Sequence, residues 1–206
     1  INKIAVVYPD DSFGADALAG VQKGLVSAKL RPVVMEQFSR VKPDFSKIAP
    51  AIAKSDAETV MFIGAGSSVV DGIKAIRAAG SDAQIVTLSN NAAGGFVKSL
   101  GENAHGVIIT QVFPSSVYYA FVKEATDMAR AKNIKEVSPA MLEGFAAAKV
   151  LVEALRRTNG ERIQSALEGI RNFDLGGLII SYNPDNHTGL EFSDLSIISK
   201  NGKFIR

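Results

Sequence analysis

Five short apolar, β-prone runs mark the first half of the chain, and a stretch with helical spacing follows each of the first four. Residues 3–7 form the first run. A turn cluster, Asp10-Asp11-Ser12-Phe13-Gly14, comes next. Residues 15–29 then carry Ala17, Leu18, Val21, Leu25 and Val26 at the three- and four-residue spacing of one helix face. The same alternation predicts strands at 32–38, 59–63, 84–88 and 106–111, and helices at 48–53, 67–79 and 93–100. Gly80 is placed to end the helix at 67–79. The strands are continuous apolar runs, TVMFI at 59–63 being the clearest, as expected of strands covered by helices on both faces. Strand and helix exchanging about every 25 residues predicts the α/β class, with a doubly wound, mostly parallel, Rossmann-like sheet.

The rhythm breaks at Pro114-Ser115-Ser116. Helices at 117–132, 138–157 and 160–171 follow without an intervening strand. The middle one is amphipathic, with Leu142, Phe145, Ala146, Val150, Val152 and Leu155. Gly176-Gly177 then leads into a strand at 178–182 and another at 192–199. Asn201-Gly202 is a hairpin signal before 203–205.

Composition narrows the function classes. Of the 206 residues 47% are hydrophobic and 21% charged, enough apolar material for a core, and mean hydropathy is +0.13. A net charge of +2, with the charges scattered, gives no footprint for nucleic acid. No cysteine is present, which excludes disulfides, a thiolate nucleophile and a Cys-type zinc site. No apolar run is long enough for a membrane-spanning helix. The chain opens on a strand with no initiating Met and no signal-peptide pattern, so a start part-way through a longer protein is expected.

Three loops carry candidate chemistry. Gly64-Ala65-Gly66 lies between a predicted strand and helix, where glycines admit a ligand to the backbone and helix N–H groups can hold an anion. Val69 replaces the third glycine of a dinucleotide fingerprint, and Thr87-Leu88-Ser89 supplies no acid for a ribose, so a nucleotide-dependent oxidoreductase is argued against. Asp10-Asp11-Ser12-Phe13-Gly14 reads either as a capping turn with Phe13 tucked under the helix or as an aromatic at the lip of a cleft. A phosphoacceptor site would also want an Asp after the third strand and a Lys after the fifth, and Ile63-Gly64 and Gln111-Val112 supply neither. Ser89-Asn90-Asn91 could orient a polar ligand or form an Asx-type turn. His105 and His187 are far apart in sequence, with no companions at metal-ligand spacing and no nucleophile elbow. No catalytic residue, metal site or cofactor is therefore assigned.

Several segments together resemble a known family. KIAVVYPDDSFGADALAGVQKGL, AETVMFIGAGSSVVDGIKAIRAAG, ENAHGVIITQVFPS, LEGFAAAKVLVEALRR and NFDLGGLIISYNPDNHTGLEFSDLSII with NGKFIR resemble, in order, periplasmic solute-binding proteins of the branched-chain amino-acid (Leu/Ile/Val) ABC-transporter type. The resemblance implies a type I periplasmic binding fold of two α/β lobes that close on a solute. It implies that residues 1–112 and 176–206 form the second lobe, and that 115–172 are helices of a first lobe whose sheet is not in the chain. It implies that Phe13, Gly64, Ala65, Gly66, Ser89 and Asn90 face the solute. Amino-acid binders of this family tend to place an acid near Ser89 to pair with the ammonium. Serine there favours a carboxylate, aromatic acid, amide or neutral solute, unless Glu143 of LEGF compensates. The implied partners are a small organic solute and an inner-membrane ABC permease, the implied location periplasmic, and the implied activity non-enzymatic. The effector domain of a transcription regulator shares this fold and is the alternative. Leu142, Phe145, Val150 and Val152 are expected to be exposed and to drive self-association.

Overall fold

The computed structural model describes residues 1–116 and 118–205. They form two compact units, Ile1–Thr110 with Leu195–Arg206, and Gln111–Asp194.

The first unit follows the alternation of the sequence. Its strands are β1 (Ile4–Pro9), β2 (Pro32–Phe38), β3 (Thr59–Phe62), β4 (Gln84–Thr87) and β5 (Ile108–Gln111). Its helices are α1 (Ser12–Ser27), α2 (Ile48–Lys54), α3 (Ser67–Ala78) and α4 (Gly94–Leu100). Pairing is parallel throughout β2-β1-β3-β4-β5. Parallel neighbours need crossovers, and the intervening helices supply them. The sheet is extended past β5 by two later strands in chain order, which are introduced below.

The core of this unit lies on one sheet face. Ala5 and Val7 of β1, Val60 and Phe62 of β3, Ile85 and Ile109 pack with Ile48 and Ile52 of α2, Val69, Ile73 and Ile76 of α3, and Phe96 and Leu100 of α4. Phe38, Phe45 and Phe62 form a ring trio with centroids 5.3–5.9 Å apart. Burying each ring contributes about 1.5–3 kcal/mol. Val6 points to the opposite face and is also fully buried. There α1 packs on β1, but only Gly14 and Leu25 of that helix are buried, and Val26 is 72% exposed. The expected apolar stripe of α1 is thus buried only in part.

The second unit is helical, with α5 (Ala120–Ala131), α6 (Pro139–Arg157) and α7 (Ile163–Glu168). The expected start of the first helix, Val117, lies outside the described residues. Ser138 caps α6, its Oγ accepting from the Met141 N–H at 3.3 Å, with Pro139 in the first turn. The third helix runs Ile163–Glu168 rather than 160–171; Gly169 is its C-cap, and Ile170 just beyond is fully buried. The strand expected at 178–182 is shorter, β7 (Ile179–Ile180), and pairs antiparallel with β6 (Phe173–Asp174), which was not expected from the sequence. Phe121, Leu142, Ala146, Val150, Ile170, Leu175, Leu178 and Ile180 share one core.

Two expectations change as a result. Leu142 and Val150 are buried in the unit's own core, at 2% and 7% exposure, Phe145 is packed against it, and Val152 alone of the four is exposed. Residues 176–194 belong with the helices, because Leu178 and Ile180 complete that core; the chain rejoins the first unit only at Leu195. There β8 (Asp194–Ile198) and β9 (Phe204–Ile205) form an antiparallel pair, closed by Gly202 at φ +74°. They take the positions after β5 and complete a seven-stranded sheet, β2-β1-β3-β4-β5-β8-β9.

Candidate functional site

The order β2-β1-β3-β4-β5 reverses direction between β1 and β3. In an open parallel sheet, ligands bind in the crevice outside the carboxyl ends of the strands at such a reversal. The residues after β1, β2, β3 and β4 all emerge at that edge, which brings Phe13, the Gly64-Ala65-Gly66 loop, Ser89 and Asn90 to one end of the sheet.

After β1 the chain turns tightly into α1. Asp11 is the N-cap, with Oδ1 accepting from the Gly14 N–H at 2.8 Å. A Cβ on Gly14 would sit 2.0 Å from the Pro9 carbonyl oxygen, so only glycine lets the helix begin this close to the strand. Arg40, just past β2, ties the neighbouring loop to this one. Its N–H donates to Asp10 Oδ1 at 2.9 Å, and its Nη1 lies 2.5 Å from Asp11 Oδ2. The Gly14 amide first, and the Arg40 guanidinium second, hold the Asp11 carboxyl below its usual range. The Arg40 guanidinium carbon stands 5.4 Å from the centre of the Phe13 ring. Phe13 is 36% exposed, so it is not tucked beneath α1; its ring is held at the surface beside a cation. Arg40 was not singled out by sequence reasoning. A basic residue just past a predicted strand was visible, but its pairing with Asp11, 29 positions away, was not.

After β3 the Gly64-Ala65-Gly66 loop is held from β4. Asn91 is 1% exposed. Its Oδ1 accepts from the Gly66 N–H at 3.0 Å, and its Nδ2 donates to the Gly64 carbonyl at 3.2 Å and to Thr87 Oγ1 at 3.0 Å. Thr87 Oγ1 in turn donates to the Phe62 carbonyl at 2.8 Å. Gly66, the N-cap of α3, has φ 60° and ψ −130°, a conformation essentially confined to glycine. Asn91 is therefore a strut inside the loop cluster, neither of the two roles that its sequence context suggested.

Asn90 donates to the same Gly64 carbonyl at 3.2 Å but is exposed. Ser89 is half-buried, and its N–H donates to Thr110 Oγ1 at 3.0 Å. A groove of about 710 Å³ runs beside these loops, lined by Gly66, Asn90 and Asn91 with Asp71, Lys74 and Phe96. The face thus offers an aromatic ring, backbone opened by glycine, small polar side chains and the Arg40 cation.

Glu143 belongs to the other unit. It lies on α6 in the second unit, half-buried, with Oε1 shut off from solvent and lacking a hydrogen-bonding partner among the described residues. Burial pushes its carboxyl above the ordinary value. His105 lies in the first unit and His187 in the second, the latter 3.1 Å from Glu168. The described residues hold no group of three or more metal-ligating side chains. No described helix is long and apolar enough to cross a membrane.

The family model for periplasmic binding proteins matches residues 1–193. The chain belongs to the periplasmic binding protein family. Solved structures agree with that membership. A substrate-binding periplasmic protein of Ralstonia solanacearum is 25% identical, with a TM-score of 0.85, and the match covers 100% of this chain and 61% of that one. An extracellular ligand-binding receptor of Verminephrobacter eiseniae is also 25% identical, with a TM-score of 0.82 and the same coverage. A possible leucine/isoleucine/valine-binding protein of Rhodopirellula baltica shares the fold at 22% identity, TM-score 0.86, covering 100% of this chain and 59% of that one. This periplasmic binding protein chain therefore spans about three-fifths of the length of these relatives. No curated protein matches the sequence.

Proposed function

We propose that this chain carries one wall of the solute site of a non-enzymatic, extracytoplasmic receptor. The receptor would deliver a small organic solute to an inner-membrane ABC importer. The observation that supports this reading is the gathering of Phe13, Gly64, Ala65, Gly66, Ser89 and Asn90 at the carboxyl ends of β1, β3 and β4. Family membership and the descriptions of the relatives point the same way.

The solute is a branched-chain amino acid or a related small carboxylate or aromatic acid, and the chemistry of the face favours the acid. Ser89 and Asn90 cannot neutralise an ammonium, and an unpaired buried ammonium is costly. Phe13 provides an apolar face, with the Arg40 guanidinium, itself paired with Asp11, at its side. Closure of the family's two lobes over the solute is the mechanism, with solute contacts offsetting the cost of closing. Glu143 is held as a candidate contact on the weaker ground of its raised pKa and unpartnered oxygen.

Titration calorimetry with leucine, valine and benzoate as probes tests the reading. Binding of benzoate above the amino acids, weakened by Ser89→Glu through charge repulsion, supports it. Tight binding of leucine that Ser89→Glu leaves unchanged would show that Ser89 is not at the solute and would overturn the specificity.

A further inference from the structure

The second unit contains a cavity that the solute reading does not use. It holds about 390 Å³ and is lined by Ile163, Gln164, Leu167 and Glu168 of α7, with Tyr182 and His187 from the segment after β7. All six lie within Gln111–Asp194, whereas the solute-facing loops belong to the other unit.

Local chemistry fixes its walls. Ile163 with Leu167, and Gln164 with Glu168, are each four residues apart, so the two pairs form adjacent rows along the side of α7 that lines the cavity. Tyr182 is anchored through its backbone, with its N–H on the Ile170 carbonyl at 2.9 Å. Its ring has room because Gly189 has no Cβ; one would come within 2.5 Å of the phenol. The loop that presents His187 is built from side-chain turns, Asn183 Oδ1 accepting from the Asp185 and Asn186 N–H groups and Asn186 Oδ1 from Thr188. Ile163, Leu167 and the Tyr182 ring make the walls mostly apolar.

The polar end is an acceptor. The Glu168 side chain is 18% exposed, and its Oε1 accepts from Gln164 Nε2 at 2.8 Å and faces His187 Nε2 at 3.1 Å. Hydrogen bonding by Gln164 keeps its carboxyl ionised below the ordinary range. A carboxylate has about four acceptor positions, so two neighbours leave capacity for another donor. An apolar pocket with one ionised carboxylate at its edge selects an apolar body bearing a positively charged hydrogen-bond donor.

We propose that this cavity is a second ligand site, which takes a small primary amine with an aromatic or branched aliphatic body. The ring lies against Leu167 and Tyr182, and the ammonium donates to Glu168. The site would let the receptor respond to an amine independently of its solute.

The test is an amide-detected NMR titration of the 206-residue chain with phenethylamine, and with phenylacetate as the probe of opposite charge. The expected result is saturable shifts at Leu167, Glu168, Tyr182 and His187 with the amine, in the millimolar range suited to so small a ligand, and none there with the acid. Glu168→Gln keeps the size and one hydrogen-bonding oxygen, and should weaken the amine about fivefold through loss of charge. Leu167→Ala, which removes apolar wall and leaves the carboxylate, should weaken it as well. Absence of saturable shifts, equal response to phenylacetate, or an unchanged affinity in Glu168→Gln each overturns the proposal. A native-like spectrum of each variant shows that the chain is folded, and so that the readout is binding.

Discussion

Replacing Asn91 tests how the candidate solute face is built. Its side chain takes part in three hydrogen bonds, from Gly66 N–H, to the Gly64 carbonyl and to Thr87 Oγ1, at 3.0, 3.2 and 3.0 Å. Each is worth about 1 kcal/mol net, and more where a partner is left buried and unpaired. Two partners keep another bond when Asn91 is lost: Gly64 still accepts from Asn90, and Thr87 still donates to Phe62. Gly66 is exposed, so water can satisfy its N–H. Asn91→Ala should therefore cost about 2–3 kcal/mol, the three bonds with little added penalty. Asn91→Asp puts oxygen where Nδ2 donates to two oxygens and buries a charge, so it should cost about 3–5 kcal/mol. Asn90→Ala removes one 3.2 Å bond at the surface and should cost less than about 1 kcal/mol. The chain has no tryptophan, so urea unfolding is best followed by circular dichroism. Hydrogen exchange of β3 and β4 then assigns the loss to the first unit. If Asn91→Ala is no more destabilising than Asn90→Ala, Asn91 is not the strut described here.

Other substitutions separate packing from binding. Gly14→Ala drives a Cβ to 2.0 Å from the Pro9 oxygen and should destabilise by about 2–3 kcal/mol or more in the same urea assay. Phe13→Ala, at a ring already 36% exposed, should cost about 1 kcal/mol or less in stability, yet weaken benzoate binding by about tenfold, measured by calorimetry. The raised pKa of Glu143 means that the native state prefers the protonated acid. Its cost is absent below the ordinary glutamate value and grows as pH rises through the raised one, so Glu143→Gln should raise the melting temperature at neutral pH and not in acid. Asp11 runs the other way. Its contribution is present above the ordinary aspartate value and lost as pH falls through the depressed one. Asp11→Asn should therefore be less stable than the native chain at neutral pH and equal to it in strong acid.

The sheet of the first unit was legible because each strand is a continuous apolar run and each helix has its own period. The position of the candidate loops was legible for the same reason, since the ends of strands can be read without coordinates. Partners distant in sequence were not. Nothing in the composition ties Arg40 to Asp11 and Phe13, or Asn91 to Gly64 and Gly66. Burial on the helices was only half legible. Periodicity marks an apolar face on α6 but cannot say which neighbour covers it, so Leu142 and Val150 were expected at the surface and lie in a local core. Strand β6 escaped, although its partner β7 falls in the expected 178–182, because a two-residue strand is too short to show alternation. Residues 176–194 were placed with the wrong unit because the pattern of a strand does not reveal which sheet it joins.

The central claim is that the loops after β1, β3 and β4 form the solute face. A residue-resolved NMR titration of the chain with benzoate and leucine addresses it most directly. The account predicts shifts that saturate together at Phe13, Gly64, Ala65, Gly66, Ser89 and Asn90, with the acid acting more strongly than the amino acid. Saturable shifts for both probes that leave these six residues unmoved and fall elsewhere would contradict it.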